Sequence, residues 1–319
     1  MVRLASNIYS SGALSRYFDK VVIDALLPNT YLLKAGTNKV LPKGQQKYVF
    51  SLATKSVGTV AGFTLSEGVT PTEGIWEMTQ VEVTLVQLGD HIILSDIVLS
   101  DSPVDIISEA LSDIAMSVAA VADIYVQDVI DAGTNVIYAG TATARNEVST
   151  NENLTVVKIA EAVAKLRAGN AKPYDGNMML AVAAPLSLFD LRTDTATGGW
   201  LDANKYVEPE KIFKGEVGAI AGARVVESSN IQFYANAGDG AGGAGNIDVY
   251  PTFVIGKDAF GVVTGGEPQS VYNPLGSSGS ADPLKQRASA GVKFRVGAGI
   301  LRQAALYRIE SASTIGANT

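Results

Sequence analysis

The sequence contains no cysteine, which excludes disulfide bonds and thiolate metal sites. It has a single histidine, His91, and one imidazole cannot build a histidine metal site. It also lacks any run of about 18 apolar residues, the length that spans a bilayer, so we expect neither a membrane-spanning segment nor a membrane partner. Disulfide-rich, histidine-ligated and membrane-spanning proteins are therefore excluded as classes.

Sequence patterns of catalytic and nucleotide-binding sites are also scarce. The segment GDGAGG (238–243) matches a dinucleotide-binding pattern, but no helix follows to supply the phosphate site, so a plain loop is the better interpretation. Nucleophile elbows, P-loop lysines and calcium-loop spacings do not occur. We therefore expect no catalytic, cofactor-binding or metal-ligating residue and no enzyme activity; an α/β enzyme is an alternative that no residue supports.

Charge is scarce and unevenly distributed. Charged residues make up only 18% of the chain, against about 25% in typical globular proteins. Residues 1–55 carry a net charge of +6, residues 56–144 contain 13 acids and no lysine or arginine, residues 145–282 carry −5, and residues 283–319 carry +5. We expect the basic ends to lie against the acidic middle, in the same chain or a neighbouring one, with solvated faces of random sign as the alternative.

The longest regular segment predicted from the sequence is a helix over residues 102–132. Ser102 can cap its first amides, Pro103 suits the first helical position, and Gly133 can take the left-handed conformation that ends a helix. The residues from 104 to 132 contain neither glycine nor proline. The predicted helix is more than twice the typical length of about 11–12 residues.

The helix has two apolar arcs and an acidic stripe when its side chains are placed about 100° apart. The first arc consists of Ile107, Leu111, Ile114, Val118, Val121, Ala122, Tyr125 and Val129. The second arc consists of Ala115, Ala119, Ile124 and Ile130, and the stripe of Asp105, Glu109, Asp113, Asp123, Asp128 and Asp131. A helix at the surface of a monomer needs only one apolar face. We therefore predict that the helix is covered from two sides, the second arc by a neighbouring subunit.

Two alternating segments on either side of a long gap predict a projecting loop. Tyr48, Phe50 and Leu52 share one face of the first strand, and the return strand alternates over residues 81–85. The intervening residues 54–77 are too many for a hairpin turn and too rich in glycine for a core. We expect the apolar side chains on this loop to contact another subunit; these are Phe63, Ile75 and Trp76.

The remaining segments predict a basic arm, an α/β region and a returning strand. Residues 1–45 are broken by glycine and proline and read as the arm. Helices and strands alternate after residue 150, and the tract 235–246 reads as a flexible glycine-rich loop suited to a contact with a minor protein. The alternating segment 292–296 predicts a strand that returns beside the long helix.

This order of parts resembles the major capsid protein of tailed bacteriophages, in particular the class typified by the coat protein of coliphage N-four. The resemblance is colinear over nearly the whole chain. It is carried by the segments LSEGVTPTEG, LGDHIILSD, DVIDAGTNVIYAG, WLDANKY, IFKGEVGAIAGARVVESSNI, YPTFVIGKDAFG and DPLKQRASAGVKFRVGAGILRQAALYRIES.

The resemblance implies an α+β chain with the Johnson, or Hong Kong 97, capsid fold. Its parts would be an N-terminal arm (1–45), an extended loop (46–95), a peripheral domain (96–149 and 284–319) with the spine helix 102–132, and an axial domain (150–283). Pentamers and hexamers of the chain would form an icosahedral phage head around double-stranded DNA, assembled in the host cytoplasm. An encapsulin-type nanocompartment shell, which shares the fold, is the alternative.

Partners and contacts follow from the same resemblance and from the charges. The arm is too short for a scaffold-like extension, so a separate scaffolding protein is expected, together with a portal and a possible decoration protein. No cofactor is expected. We predict that three acids of the stripe, Asp105, Glu109 and Asp113, face bases on the arm of a neighbouring chain, and these are Arg3, Arg16 and Lys20.

Some members of this family join a loop lysine to an asparagine of a neighbouring subunit. Residues 56–144 contain no lysine, and the chain contains no cysteine, so neither that bond nor a disulfide can link copies through this segment. Denaturing electrophoresis of boiled native particles should therefore give one band near the chain mass of 33.3 kDa. A ladder of covalent oligomers would contradict this prediction.

Overall fold

The computed structural model describes residues 31–42, 44–55, 64, 67–68, 76–101, 106–194, 216–239, 247–277 and 282–316. Its helices are α1 (Leu32–Ala35), α2 (Asp96–Asp101), α3 (Ile106–Asp131), α4 (Val156–Ala168) and α5 (Pro185–Thr193), with 3-10 turns at Arg145–Glu147 and Gln303–Ala305. The strands are β1 (Thr37–Val40), β2 (Lys47–Lys55), β3 (Trp76–Thr84), β4 (Val86–Ser95), β5 (Val136–Tyr138), β6 (Met179–Ala183), β7 (Glu216–Ile220), β8 (Ala223–Glu227), β9 (Tyr234–Gly238), β10 (Ile247–Ile255), β11 (Phe260–Thr264), β12 (Gln269–Asn273), β13 (Arg287–Ile300) and β14 (Leu306–Ser311).

The strands form two large sheets and one ribbon. The five-stranded sheet has the order β1-β11-β13-β12, and β4 pairs with the other edge of β13. The seven-stranded sheet has the order β5-β14-β10-β6-β8-β7, with β9 also on β10. Strands β2 and β3 pair only with each other within the described residues, and we call this pair the ribbon.

Strand β13 pairs with three other strands of the five-stranded sheet, β4, β11 and β12. Its two faces differ in burial. Alternate residues from Ala288 to Val296 are buried, whereas Arg287, Lys293 and Arg295 on the opposite face are exposed. This is the period-two pattern of a strand with one covered face. The buried face packs against helix α3, so the predicted strand beside the long helix is confirmed.

Helix α3 confirms the predicted long helix, and it ends at Asp131, one residue before the predicted end. It spans 26 residues, about 39 Å at 1.5 Å per residue, and residues 102–105 lie outside the described residues. It ends before Gly133, but Gly133 is not in the left-handed region as predicted. Glycine is required there for space, since a Cβ would lie 2.9 Å from the carbonyl oxygen of Ile130.

The seven-stranded sheet carries helices α4 and α5 on one face. Their apolar residues share one core cluster with Ala181, Val225 and Ile309 of the sheet. Pro251 lies inside β10, where the neighbouring strand changes from β9 to β6. Because proline donates no ladder hydrogen bond, a strand accepts it at such an interruption. The predicted α/β region is thus a mixed sheet with helices.

Several strands do not follow the predicted boundaries of the parts. Strand β4 belongs to the five-stranded sheet and not to the extended loop, and β11 and β12 lie in that sheet although they fall within 150–283. Strands β5 and β14 lie in the seven-stranded sheet. The segment 235–238, predicted as flexible loop, belongs to β9. Pairing between distant segments decides sheet membership, and local patterns do not encode it.

The end of the predicted arm is part of the folded body. We call residues 31–42 the strap. Leu32 is buried to 1% exposure, Ala35 and Leu41 are also buried, and β1 pairs in parallel with β11. Local sequence patterns do not reveal this burial because most of it comes from helix α3 and strand β11, which are distant in the sequence. The predicted arm helix before Pro28 lies outside the described residues.

Two chain segments, 256–259 and 301–305, cross from one large sheet to the other, and a third, 132–135, leads from α3 into the seven-stranded sheet. We call these three segments the junction. The amide of Gly256 donates to Ala305 O at 2.8 Å, and the amide of Leu301 donates to Ala259 O at 2.9 Å. The Nδ2 of Asn135 donates to Gln303 O at 2.7 Å. These bonds tie the crossings to one another.

A buried ionic cluster fixes helix α3 and the loop before α4 to strand β14. Glu310 is fully buried and accepts two hydrogen bonds from Arg145, at 2.8 and 2.6 Å, and one from Arg308 at 2.7 Å. Arg308 also donates to the backbone carbonyl of Asp131, and the Arg145 guanidinium lies 3.5 Å from the centre of the Tyr234 ring. Glu310 raises the pKa of Arg145 above its usual range.

Glu310→Gln should strongly destabilise the fold because it leaves two guanidinium groups without their buried carboxylate. Removing one partner of a buried pair costs about 3–5 kcal/mol, whereas an exposed pair contributes about 0–1 kcal/mol. Glu161→Gln is the matched control, since Glu161 pairs with Lys165 on the exposed side of α4. Urea unfolding should separate the two variants, and equal losses of stability would contradict the prediction.

Candidate subunit-interaction surface

The inner face of the ribbon is seated on glycines of the five-stranded sheet. Cβ atoms built on Gly261 and Gly299 would lie 2.6 Å from Phe50 Cζ and 2.8 Å from Val83 Cγ2, and one on Gly297 would lie 2.7 Å from Thr84 O. These distances are too short for any side chain, so glycine is required at all three positions. Phe50 and Val83 are buried there with neighbours from β11 and the end of β13.

The outer face of the ribbon is not covered by the described part of the subunit. Trp76 is 60% exposed, Met78 is 52% exposed and Val49 is 42% exposed. Met78 pairs with Ala53 across the ribbon, and Trp76 with Lys55. The register therefore places these apolar residues on one side of a two-stranded sheet, which is marginally stable without further packing.

The connection between the two ribbon strands is shorter than predicted. Pairing continues to Lys55 and Trp76, so the connection comprises residues 56–75 instead of a loop over 54–77. Two of the predicted contact residues, Phe63 and Ile75, lie outside the described residues. The third, Trp76, begins strand β3 at the far end of the ribbon.

Helix α3 is covered on two sides within its own subunit, so one prediction about it is wrong. Ala115, Ala119 and Ile130 of the second arc are buried, and Ile124 is half-buried, without any neighbouring chain. Ala115 and Ile130 lie in the same core cluster as Leu32 and Ile231. The strap and the segment before β9 supply this cover, and both are distant from the helix in sequence.

The exposed face of α3 is not the second arc but a surface that includes Met116 and Val121. Met116 is 43% exposed and Val121, which was assigned to the first buried arc, is 46% exposed. Asp113 and Asp128 are exposed on the same helix. Of the predicted ionic contacts, the Glu109 side chain lies outside the described part, as do Asp105 and three bases, Arg3, Arg16 and Lys20.

Two acids of the predicted stripe, Asp123 and Asp131, contact other parts of the same subunit. Asp123 is buried and its Oδ1 accepts the amide of Leu33 at 3.1 Å, which fastens the strap to the helix. Asn230 Nδ2 approaches Asp123 Oδ2 at 3.5 Å. Burial raises the pKa of the Asp123 carboxyl, although the hydrogen bonds from Leu33 and Asn230 lower it. Burial also raises the pKa of Asp131.

Sequence reasoning missed the ionic cluster and the strap contact. Arg145 and Glu310 are 165 positions apart, and Leu33 and Asp123 are 90 positions apart. Arg145 lies in a polar stretch that reads as a linker. Glu310 is the single acid in the basic segment 283–319. This isolation was the one feature of the sequence that indicated an ion pair at Glu310.

The described residues contain no grouping of three histidine, cysteine or acidic side chains suited to a metal ion. His91 lies in β4 opposite Gly291 and is exposed. Within the same residues, no helix is long and apolar enough to cross a membrane. Part of the GDGAGG segment, residues 240–243, lies outside the description.

Several solved structures are similar to this chain, among them phage capsids. The capsid of Ralstonia phage GP4 matches with a TM-score of 0.69 and 12% identity, over 89% of this chain and 91% of that one. The capsid of cyanophage P-SCSP1u matches with a TM-score of 0.61 and 15% identity, over 89% and 88%. A virus-like particle from Pyrococcus furiosus matches with a TM-score of 0.50 and 12% identity, over 92% and 97%.

These similarities establish the fold. No protein-family model and no curated protein matches the chain. The α+β class and the Hong Kong 97-type capsid fold, both predicted from the sequence, are confirmed by the phage capsid structures. The match with the GP4 capsid covers 89% of this chain and 91% of that one, so the two chains share the fold over most of their lengths.

The raised pKa of Asp123 predicts how stability changes with pH. A carboxyl with a higher pKa in the folded state binds its proton more tightly there, so its contribution to stability falls as pH rises above the unfolded value of about 3.9. Asp123→Asn removes this titration but keeps an oxygen acceptor for Leu33. Lowering the pH from 7 to 5 should therefore stabilise the wild-type chain relative to this variant in urea unfolding.

Asp128→Asn, an exposed change on the same helix, is the control for Asp123→Asn. Other buried acids titrate equally in the wild-type chain and both variants, so they cancel in each difference. Parallel stability curves for the wild-type chain and Asp123→Asn between pH 5 and 7 would contradict the assignment.

Proposed function

We propose that this chain is the major capsid protein of a tailed phage. Copies of it assemble as pentamers and hexamers into an icosahedral head that encloses double-stranded DNA. The observation that carries the proposal is the fold shared with the GP4 capsid over 89% of this chain and 91% of that one.

The outer face of the ribbon supports the proposal as a contact between subunits. Burying a large apolar side chain contributes about 1.5–3 kcal/mol, and the isolated subunit leaves Trp76 and Met78 mostly in water. A neighbouring copy of the chain would recover that free energy. Phe63 and Ile75, on the connection next to Trp76, belong to the same proposed contact.

A second proposed contact is ionic. Asp105, Glu109 and Asp113 would face Arg3, Arg16 and Lys20 of a neighbouring chain, and the support is the opposite charge of the two segments together with the exposure of Asp113. Each exposed pair would contribute about 0–1 kcal/mol, although a shell repeats it many times. Such contacts weaken as the screening length falls to about 3 Å at 1 M salt.

The capsid role brings further partners. We propose a separate scaffolding protein during assembly, a portal at one vertex, non-specific contact with the packaged DNA, and a possible decoration protein. The head is part of the virion and is assembled in the host cytoplasm. The chain has no catalytic role in this account. The glycine-rich tract 235–246 is a proposed contact for a minor protein.

An encapsulin-type shell, which shares this fold, is the alternative, but the match to the virus-like particle of Pyrococcus furiosus does not favour it. Its TM-score of 0.50 is below the 0.69 of the GP4 capsid, which favours the phage head. The two candidates differ in what the shell contains, namely double-stranded DNA or a cargo protein.

Electron microscopy of the expressed chain, alone and with proteins encoded beside it, tests the shell. Closed icosahedral particles are expected, and only dispersed monomers under all assembly conditions would contradict the proposal. Native particles then decide between the candidates. Nuclease-protected double-stranded DNA indicates a phage head, whereas an enclosed enzyme indicates a nanocompartment.

Trp76→Ser combined with Met78→Ser should prevent closed shells and leave the subunit folded. Both side chains are exposed in the subunit, so their loss costs the monomer little but removes apolar area from the proposed contact. Val157→Ser is the control because Val157 is 72% exposed on α4, away from the ribbon. Electron microscopy and a thermal melt by circular dichroism measure the two effects.

Normal shells from the double variant would contradict the ribbon contact. An unfolded double variant would contradict it as well, since the ribbon would then belong to the core of the subunit. Loss of shells from Val157→Ser to the same extent would mean that any exposed apolar residue matters, and the ribbon would have no special role.

A further inference from the structure

A small cavity opens at the junction, where the chain crosses between the two large sheets. Its volume is about 240 Å³, and its walls come from the end of α4, the turn between β10 and β11, and the crossing between β13 and β14. Pockets for organic ligands are typically about 300–1,000 Å³, and a water molecule takes about 30 Å³. The cavity therefore has room for a small ion and a few waters.

Three cations from three different chain segments line this cavity. Lys172 follows α4, Lys257 lies between β10 and β11, and Arg302 lies between β13 and β14. All three are exposed, and none of them forms an ion pair with a described residue. In a chain with 18% charged residues and a net charge of −7, this cavity therefore has more bases than acids in its walls.

One acid, Asp258, also lines the cavity, but it is held by another partner. Its Oδ1 accepts a hydrogen bond from Thr37 Oγ1 of the strap at 2.9 Å. Asp258 also lines the adjoining cavity, together with Asp175, which pairs with Arg224 at 2.8 Å. The acids are thus engaged on the strap side, and the local charge of the first cavity is positive.

The carbonyl end of α4 also meets this cavity, and it would repel an anion if its last carbonyls were free. The amides of Gly169, Asn170 and Ala171 donate to Lys165 O, Arg167 O and Leu166 O, each at 3.0 Å. This is the usual closure of a helix end, with Asn170 in the left-handed region at a φ of 56°. Backbone amides therefore already neutralise much of the negative end of the helix.

We propose that this cavity is a binding site for a phosphate group, supplied by inorganic phosphate or by a nucleic-acid phosphodiester. A guanidinium presents a planar fork of donors to phosphate oxygens, and each lysine ammonium adds a compact charge. Nothing in this site depends on shell assembly, so it exists in the free subunit.

A bound phosphate would brace the junction. Its three ligands come from the three segments that follow α4, β10 and β13, so one ion would connect both crossings and the end of the helix. The backbone bonds beside it, from Gly256 N to Ala305 O and from Leu301 N to Ala259 O, would open less often. Exchange of these two amide hydrogens should therefore slow when phosphate binds.

The test uses the full chain with inorganic phosphate at constant ionic strength, with sodium chloride as the balancing salt. The site variant combines Lys172→Gln, Lys257→Gln and Arg302→Gln. The control variant makes the same charge change on exposed residues that line neither cavity, with Lys39→Gln, Lys293→Gln and Arg295→Gln. Thermal melting and amide exchange of Gly256 and Leu301 are measured with and without phosphate.

Phosphate should raise the melting temperature of the wild-type chain and of the control variant more than that of the site variant. The comparison between variants is needed because phosphate stabilises many proteins by exclusion from their surface. The affinity of the site variant for phosphate should fall at least about tenfold, which corresponds to one or two lost charge-assisted bonds.

A second arm titrates a short mixed-sequence DNA duplex at several salt concentrations. If the group comes from DNA, the site variant binds the duplex more weakly and its salt dependence falls by about 0.9 per lost phosphate contact. If only inorganic phosphate responds, the source is the free ion. Either result supports the phosphate site.

The proposal is overturned if the site variant keeps the full response to phosphate and DNA, or if the wild-type chain responds to neither. It is also overturned if polyglutamate stabilises the wild-type chain and phosphate does not, since the cavity would then receive an acidic protein segment. Should the site variant fail to fold, amide exchange in the wild-type chain decides, and unchanged exchange of Gly256 and Leu301 contradicts the site.

Discussion

The seating of the ribbon on the glycines of β11 and β13 is the packing contact on which the rest of the subunit depends. Strand β13 is covered by helix α3 on one face, so its opposite face is the one available to the ribbon. Gly261, Gly297 and Gly299 allow the ribbon backbone and Phe50 to lie directly on the sheet. A larger side chain at any of them would lift the ribbon from the body.

This seating explains why one subunit combines a closed core with an open projection. The inner face of the ribbon adds Phe50 and Val83 to the core, so the base of the ribbon is fixed. The outer face carries Trp76 and Met78 into water, where they have no cover from the described subunit. A fixed base and an uncovered apolar end are the features expected of a contact between rigid copies of one chain.

Local patterns in the sequence were sufficient to predict most regular elements. The 3.6-residue periodicity predicted α3, and alternation predicted β2, β3 and β13, because each depends on neighbouring residues. The colinear segments of the resemblance predicted the capsid fold, which the phage capsid structures confirm. The burial of Phe50 on the inner face of its strand also followed from alternation.

Contacts between distant segments were not predictable in the same way. An arc of small apolar residues on α3 shows that a cover exists but not which chain supplies it, and the cover proved to include the strap. Val121 was expected to be buried and is exposed, because the positions of the covering elements decide which arc is open. The pairing of Arg145 with Glu310 joins positions 165 apart that no spacing rule relates.

Amide hydrogen exchange over residues 76–84, in assembled shells and in dissociated subunits, tests the central claim most directly. If the outer face of the ribbon is a contact between copies, the amides at the far end of the ribbon, residues 76–80, should exchange much more slowly in the shell. The amides of Val83 and Thr84 should change little, since Val83 is already buried in the subunit and the Thr84 carbonyl lies against Gly297. Equal exchange at residues 76–80 in the two states would contradict the account.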